Sequence, residues 1–196
     1  MNAAPPAPGV GRTDPARARM FFALWPGAAV AGALHARGRA LQAECGGRLM
    51  RRDTVHLTLA FLGDIAVSRL GALEAVAQAV RGERFVLDFD RVGSWHGNRI
   101  LWTGCSGVPA PLQALADALA AGLRAAGFEL EARAFAPHVT LVRNAVRPPR
   151  ELAREALHWP VASFVLVASE RDAKGAHYRV LGRWPLDGGG CAGGKA

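Results

Sequence analysis

Two short stretches of this chain share one pattern: residues 56–63 read HLTLAFLG and residues 137–143 read PHVTLVR. Each contains a histidine, an apolar residue, a threonine and a leucine, in that order. In a β-strand, residues two apart point to the same face, so each His lies beside its Thr while the residue between them faces the core. Each stretch therefore predicts a strand that projects one polar pair.

The first stretch closes one copy of a weak internal repeat of strand, helix and strand. An apolar run at residues 20–25 predicts a buried strand, and Pro26 then opens an Ala-rich helix. This helix is expected to stop near Gly46 and Gly47. The second strand of the copy covers residues 55–62 and carries His56 and Thr58.

The second stretch closes the other copy of the repeat. Residues 99–102 predict its first strand, and Pro109 and Pro111 introduce its helix. The leucines of that helix fall on one face: Leu112, Leu115, Leu119 and Leu123. Gly127 is a natural stop, and the second strand covers residues 135–142 with His138 and Thr140.

Further elements are expected outside the repeat. Helices are predicted over residues 67–80 and, in shorter form, over 149–157, and strands near 85–92, 161–169 and 177–184. Strand, helix and strand, repeated with short loops, indicates an α+β domain of two similar lobes.

The two ends of the chain differ in composition from the middle. Residues 1–17 are rich in Pro and Gly without apolar periodicity, and residues 187–196 are rich in Gly. Both ends are expected to be disordered tails around a single bilobal domain at 18–186.

The composition is that of a globular chain with a basic surface. Its 196 residues are 51% hydrophobic and 20% charged, and Lys plus Arg outnumber Asp plus Glu by 24 to 16. Nearly all the cations are Arg, whose planar donors suit phosphate, so a polyanionic partner is one interpretation. A compositional bias that replaced Lys by Arg is the other.

Cysteine usage and hydropathy bear on the compartment. Cys45, Cys105 and Cys191 are an odd number without close spacing, which favours a reducing cytoplasm over a disulfide framework. The apolar run at 20–34 follows two arginines as a signal peptide would, but Pro26 and Gly27 interrupt it. No run approaches the roughly 20 apolar residues that a membrane span needs.

Two imidazoles and two hydroxyls facing one another across a cleft suit a phosphodiester. One His, neutral, can deprotonate water while the other, protonated, supplies a proton to the leaving oxygen. The hydroxyls of Thr58 and Thr140 can donate to non-bridging phosphate oxygens. We predict His56 and His138 as the acid–base pair, with no metal and no cofactor; the alternative for any single copy is a histidine that only caps a strand.

Arg143 and Trp95 are further candidates for this site. Arg143, just beyond the second motif, is placed to reach a phosphate or ribose, unless it is simply solvated. Trp95 would offer a stacking face to a base or, alternatively, close a strand end in the core. The remaining histidines have no metal-binding spacing.

At these residues the chain resembles the bacterial and archaeal RNA 2′,3′-cyclic phosphodiesterases, also called 2′-5′ RNA ligases, of the 2H phosphoesterase superfamily. The resemblance rests on residues 20–26, 56–63, 99–102 and 137–143, and on the 82-residue separation of the two histidines (138 − 56). It implies a bilobal, pseudo-twofold fold in which two antiparallel sheets, flanked by helices, surround a central cleft.

The resemblance also implies an activity and residue roles. A terminal 2′,3′-cyclic phosphate on RNA would be hydrolysed to a 2′-phosphate without metal. Separately from the resemblance, the protein is expected to be a monomer. His56 would be the acid at the departing 3′ oxygen, His138 the base on water, Thr58 and Thr140 phosphate ligands, and Arg143 an accessory contact. Ligation would be the reverse of the same chemistry.

Two other functions remain open at this stage. One keeps the site but acts on a small cyclic nucleotide. The other is a noncatalytic RNA-binding module that kept the cleft and the basic surface. Comparing the turnover of a cyclic mononucleotide with that of an RNA bearing the same end distinguishes these functions.

Overall fold

The chain alternates strands and helices over its first two thirds and ends in three consecutive strands. The computed structural model describes residues 16–95, 97–132, 134–149, 153–172 and 175–187. The strands are β1 (Arg17–Leu24), β2 (Arg48–Leu49), β3 (Leu57–Ala66), β4 (Phe85–Trp95), β5 (Ile100–Gly104), β6 (Val139–Arg143), β7 (Ala153–Val161), β8 (Ser163–Asp172) and β9 (Gly175–Pro185), and the helices are α1 (Ala28–Cys45), α2 (Leu70–Ala79) and α3 (Ala110–Ala125). Short 3₁₀ turns at Arg52–Thr54 and Val67–Arg69 precede β3 and α2.

The strands form one antiparallel sheet made of two halves. Its order is β7-β4-β5-β6-β3-β1-β8-β9, and β2 also pairs with β6. The halves meet where β3 pairs with β6, through the pair of Leu57 and Val139. The α+β class is confirmed, and the two expected sheets are joined at this pair into one.

The two copies of the repeat occupy equivalent places in the two halves. β1 pairs with β3 in one half, and β5 pairs with β6 in the other. The helices cross over: α1 packs against β6, whereas α3 packs against β3. The predicted leucine face of α3 is buried, with Leu112, Leu119 and Leu123 fully inaccessible. One apolar core therefore joins both copies.

The two faces of β1 contact different apolar clusters. Met20, Phe22 and Leu24 belong to the main core, whereas the residues between them face the other way. Phe21 and Ala23 join a second, smaller apolar cluster with two valines of β8. The run predicted as a uniformly buried strand thus has two distinct faces.

The helix expected over residues 149–157 is wrong. Residues 153–161 form β7, which pairs with β4, placing Leu87 opposite Trp159 and Phe85 opposite Val161. Trp159 and Val161 are buried while the residues flanking Trp159 are exposed, so the period is two. Pro160 is compatible with the strand because β7 lies at the edge of the sheet, where one side of the backbone needs no partner.

The other predicted elements are present with shifted bounds. β6 begins at Val139 rather than 135, because Pro137 has no N–H to donate to a ladder. β8 begins two residues after the expected 161, because Val161 still belongs to β7. The expected tails fall largely on residues 1–15 and 188–196, outside the described residues, and β1 begins at Arg17. Among the described residues, no helix combines the length and apolar character that crossing a membrane requires.

Candidate active site

The two motifs meet at the junction of the two half-sheets. The paired Leu57 and Val139 are both completely buried, and each follows a motif histidine. Continuing this antiparallel register places His56 opposite Thr140 and His138 opposite Thr58. Opposed residues lie about 5 Å apart and same-face neighbours about 7 Å along a strand. The four polar side chains therefore start from a patch about the size of a phosphodiester group.

Both histidines are oriented by the same contact. Nδ1 of His56 lies 2.7 Å from the carbonyl oxygen of Thr54, and Nδ1 of His138 lies 2.7 Å from that of Ala136. Because a carbonyl oxygen only accepts, each Nδ1 must carry a proton and donate it. The neutral form of each ring therefore has its lone pair on Nε2.

Local sequence explains where these two carbonyls lie. Thr54 ends a 3₁₀ turn and is held there because its hydroxyl donates to the carbonyl of Arg51 at 2.8 Å. Ala136 precedes Pro137, and a residue before proline is restricted to extended backbone. The two lobes thus reach one histidine geometry by different local means.

His56 lies among aromatic rings. Its ring stacks on Phe21 at 4.8 Å and is nearly parallel to Trp25 at 5.4 Å, while Tyr178 meets it edge-on at 5.3 Å. Burial among these groups is the main reason that the pKa of His56 is lowered from 6.5 to about 4, and the positive charges of His138 and Arg143 lower it further. The hydrogen bond to Thr54 acts in the opposite direction. Without a bound anion, His56 is neutral at pH 7.

His138 has a more open setting. The ring of Trp95 meets it edge-on at a centroid distance of 4.4 Å, and Trp102 packs behind Trp95 at 5.6 Å. A Cβ on Gly93 would lie 2.1 Å from the ring of Trp102, so glycine is required where this indole crosses β4. Trp95 thus supports the second histidine rather than closing a strand end in the main core.

A cavity of about 440 Å³, here called the histidine cavity, opens above the junction. It brings together all five residues singled out in the sequence: His56, Thr58, His138, Thr140 and Arg143.

The position of Arg143 depends on a close backbone approach. β2 pairs with the end of β6, with Arg48 opposite Arg143. Gly47, just before β2, has φ of +93°, and a Cβ there would lie 2.7 Å from the carbonyl oxygen of Arg143. Only glycine accommodates both the positive φ and this contact.

A second cavity of about 580 Å³ adjoins the first between β3 and α3. The two cavities share walls formed by Thr58, Phe61, Trp95, Glu131 and His138. Asp117 and Arg124 of α3 line the second cavity, so its polar groups are of both signs.

Several site residues were not predicted from the sequence. The histidine cavity is also lined by Phe21, Tyr178, Arg19, Ser169, Asn98 and Glu131. The alternation of Arg19 and Phe21 with Met20 and Phe22 is the signal that indicates a second functional face of β1. Tyr178 and Ser169 carry no such local signal, because strand pairing alone places them beside β1.

The remaining histidines lie elsewhere or outside the description. On the surface, Nδ1 of His158 contacts a carboxylate oxygen of Asp88 across the pairing of β7 with β4. His96 lies outside the described residues, as does Cys191. Within the described ranges, no group of three or more His, Cys, Asp and Glu side chains is arranged to hold a metal ion.

Comparison with known proteins gives the family. A model of the 2′-5′ RNA ligase superfamily matches residues 30–173, which is most of the chain. The chain belongs to this superfamily. It is 33% identical over 176 residues to the RNA 2′,3′-cyclic phosphodiesterase of Escherichia coli, covering 86% of this chain and 96% of the relative. An RNA 2′,3′-cyclic phosphodiesterase of Thermus thermophilus is 32% identical over 189 residues, covering 87% and 91%.

Solved structures of this superfamily share the fold. The crystal structure of E. coli LigT complexed with 3′-AMP superimposes with a TM-score of 0.79 at 32% identity, covering 87% of this chain and 99% of that one. LigT in apo form gives the same TM-score. The bilobal arrangement around the junction of β3 and β6 is therefore that of the superfamily.

Proposed function

We propose that the protein is an RNA 2′,3′-cyclic phosphodiesterase that opens the cyclic phosphate by acid–base catalysis with His56 and His138. The observation that carries this proposal is the junction of β3 and β6, where one ladder pair places two identically oriented histidines beside two threonines. Relatives over most of the chain's length are RNA 2′,3′-cyclic phosphodiesterases, which supports the same substrate here.

In the proposed reaction, Nε2 of His138 removes a proton from water, and the water oxygen attacks phosphorus. The bond from phosphorus to the 3′ oxygen breaks, and Nε2 of His56 gives its proton to that oxygen. The product is a 2′-phosphate with a free 3′ hydroxyl, and proton exchange with solvent resets both rings. Thr58, Thr140 and Arg143 donate to the phosphate oxygens as negative charge grows on them.

The acid must first acquire its proton. In the free protein the pKa of His56 is about 4, because burial and the electrostatic interactions with His138 and Arg143 disfavour the imidazolium. A bound cyclic phosphate brings one negative charge beside these groups and therefore raises the pKa of His56. Once formed, a buried imidazolium gives up its proton readily to the departing oxygen.

The same geometry supports ligation in principle. A 5′ hydroxyl in place of water would attack the same phosphorus and leave a 2′-5′ linkage. We propose hydrolysis as the main direction, because water always competes with dilute RNA ends. We also propose that the protein acts as a monomer in the cytoplasm, in keeping with the thiol of Cys105, which is not part of a disulfide.

The test uses a short RNA that ends in a 2′,3′-cyclic phosphate. The wild-type protein is expected to yield the 2′-phosphate isomer, with activity that survives EDTA. His56→Ala and His138→Ala are each expected to lose about 10²- to 10⁴-fold in rate. His158→Ala is the matched control, because this surface histidine on β7 lies outside the histidine cavity.

The outcomes separate the open alternatives. Binding of the RNA with an unchanged cyclic end would favour a noncatalytic RNA-binding module. Turnover of a cyclic mononucleotide with no turnover of the RNA would favour the small-nucleotide enzyme. Loss of activity in EDTA that added metal restores would contradict the metal-independent mechanism.

A further inference from the structure

The histidine cavity contains a second guanidinium, Arg19, in addition to that of Arg143. The two come from different halves of the sheet, Arg19 from β1 and Arg143 from β6. The positive charges that act on His56 are those of His138 and Arg143. Arg143 therefore lies beside the reacting centre, and one cyclic phosphate does not account for the charge of Arg19.

Arg19 lies next to Phe21 on the face of β1 that contacts His56. Phe21, which stacks on His56, and Arg19 are successive residues on the same face of β1, so their Cα atoms lie about 7 Å apart. The Arg19 guanidinium lies 4.7 Å from the ring centroid of Phe61 on β3. This cation–π contact holds the planar group at the cavity wall with its N–H edges available.

Ser169 and Tyr178 extend this position across the sheet. Arg19 is paired with Ser169 on β8, and Ser169 with Tyr178 on β9. Opposed residues in neighbouring strands share a face, and all three line the histidine cavity. A guanidinium and two hydroxyls thus form a row of hydrogen-bond donors along the cavity wall, with the Tyr178 ring in contact with His56.

Among the described residues, the Arg19 guanidinium makes no hydrogen bond or ion pair, unlike those of neighbouring arginines. Arg17 donates to the carbonyl of Asp64, Arg179 pairs with Glu170 at 3.6 Å, and Arg183 donates to the hydroxyl of Ser163 at 2.9 Å. Within the described part of the chain, the Arg19 guanidinium has only its contact with the Phe61 ring. A guanidinium that lines a cavity and has no acceptor bonded to it in the described ranges is suited to an anionic ligand.

The other route out of the site is less suited to an anion. The adjoining cavity between β3 and α3 is lined by the carboxylates of Asp117 and Glu131, with Arg124 as the opposing charge. Glu131 lines both cavities, but the histidine cavity also holds the guanidiniums of Arg19 and Arg143, so a polyanionic chain leaving the cyclic phosphate is favoured on the Arg19 side.

We infer that Arg19, assisted by Ser169, binds the phosphate on the 5′ side of the nucleotide whose cyclic phosphate lies at His56 and His138. This inference rests on the proposed function, because it takes the cyclic phosphate to occupy the histidine pair. The site accepts a phosphodiester or phosphomonoester at the 5′ position. It makes the protein selective for the end of an RNA chain over a cyclic mononucleotide with a free 5′ hydroxyl.

The test compares two product-like ligands by calorimetry, so that it does not depend on catalysis. Adenosine 2′-phosphate and adenosine 2′,5′-bisphosphate differ only by the 5′-phosphate. Wild type is expected to bind the bisphosphate at least about tenfold more tightly, as one charge-assisted contact implies. Arg19→Gln is expected to remove this preference, and Arg19→Lys to restore part of it without the planar fork.

Arg183→Gln is the matched control, because it removes a guanidinium from the same half-sheet that is already bonded to Ser163. It is expected to keep the preference. In wild type, the preference for the bisphosphate should also fall as the salt concentration rises. The slope of log affinity for the bisphosphate against log salt concentration should be smaller by about one in Arg19→Gln. Circular dichroism confirms that each variant is folded.

The outcomes keep the two proposals apart. A wild-type affinity ratio near one, or a ratio unchanged in Arg19→Gln, overturns the 5′-phosphate site. An equal loss of affinity for both ligands in Arg19→Gln also overturns it, because Arg19 would then act at the 2′-phosphate. The wild-type protein could prefer the bisphosphate, lose this preference in Arg19→Gln, and yet hydrolyse no cyclic phosphate. This result would support the 5′-phosphate site and contradict the proposed function.

Discussion

Truncation of Trp25 is expected to raise the pKa of His56. The indole lies parallel to the imidazole at 5.4 Å and is itself only partly buried, so Trp25→Ala admits water to the ring without opening the main core. The fall in pKa from 6.5 to about 4 corresponds to about 3 kcal/mol in favour of the neutral ring. Burial is the largest cause of this lowered pKa. Exposing the His56 ring to water should therefore raise its pKa more than neutralising Arg143 does.

The same shift makes stability depend on pH. Between pH 6.5 and 4, the unfolded chain binds a proton at His56 that the folded protein does not, so the free energy of unfolding falls as pH falls through this window. By pH 5 the loss from this residue is about 2 kcal/mol, and above pH 6.5 it contributes nothing. In Trp25→Ala this part of the loss becomes smaller.

NMR titration of the histidine ring signals between pH 3 and 8 measures the pKa, with the His56 signal assigned from His56→Gln. Trp95→Ala is the control, because Trp95 contacts His138 and not His56. A wild-type pKa of His56 near 6.5 would refute the reasoning. So would equal responses of this pKa to the two tryptophan substitutions.

Two further predictions concern groups that support the site. Gly47→Ala should lower the free energy of unfolding by about 1–3 kcal/mol and reduce activity, because its Cβ meets the carbonyl of Arg143 at a positive φ; urea unfolding and a rate assay check this, and unchanged values of both would contradict it. Thr103→Val should cost about 1–3 kcal/mol in urea unfolding, because the buried hydroxyl donates to the Arg91 carbonyl at 2.8 Å and accepts from Arg37 at 3.0 Å; a stability equal to wild type would show that these groups find other partners.

The sequence carried the repeat and the paired motifs, and these were sufficient to predict the class of fold. The strand and helix of each copy were recovered because apolar periodicity, Pro26 and Gly127 act locally. Local signals also placed Leu57 and Val139 in the core beside the motif histidines. Their direct pairing could not be predicted, because the register between two distant strands depends on the whole packing of the sheet.

The errors have the same origin. Periodicity predicts a short helix over residues 149–157, yet residues 153–161 form the strand β7. The alternation of Leu157, Trp159 and Val161 was the competing signal, and pairing with β4 decides in its favour. The depressed pKa of His56 was also beyond the sequence, since Phe21, Trp25 and Tyr178 come together only through β1, β8 and β9.

The single ladder pair between the half-sheets has a mechanical consequence. His56 and His138 are each one residue from this pair, which acts as the pivot if the halves swing apart. Points near a pivot move least, so such a motion would widen the mouth of the cleft and change the distance between Arg19 and Arg143 far more than the spacing of the two imidazoles. A motion of this kind would admit and release a bulky polymer end while keeping the acid and base in register.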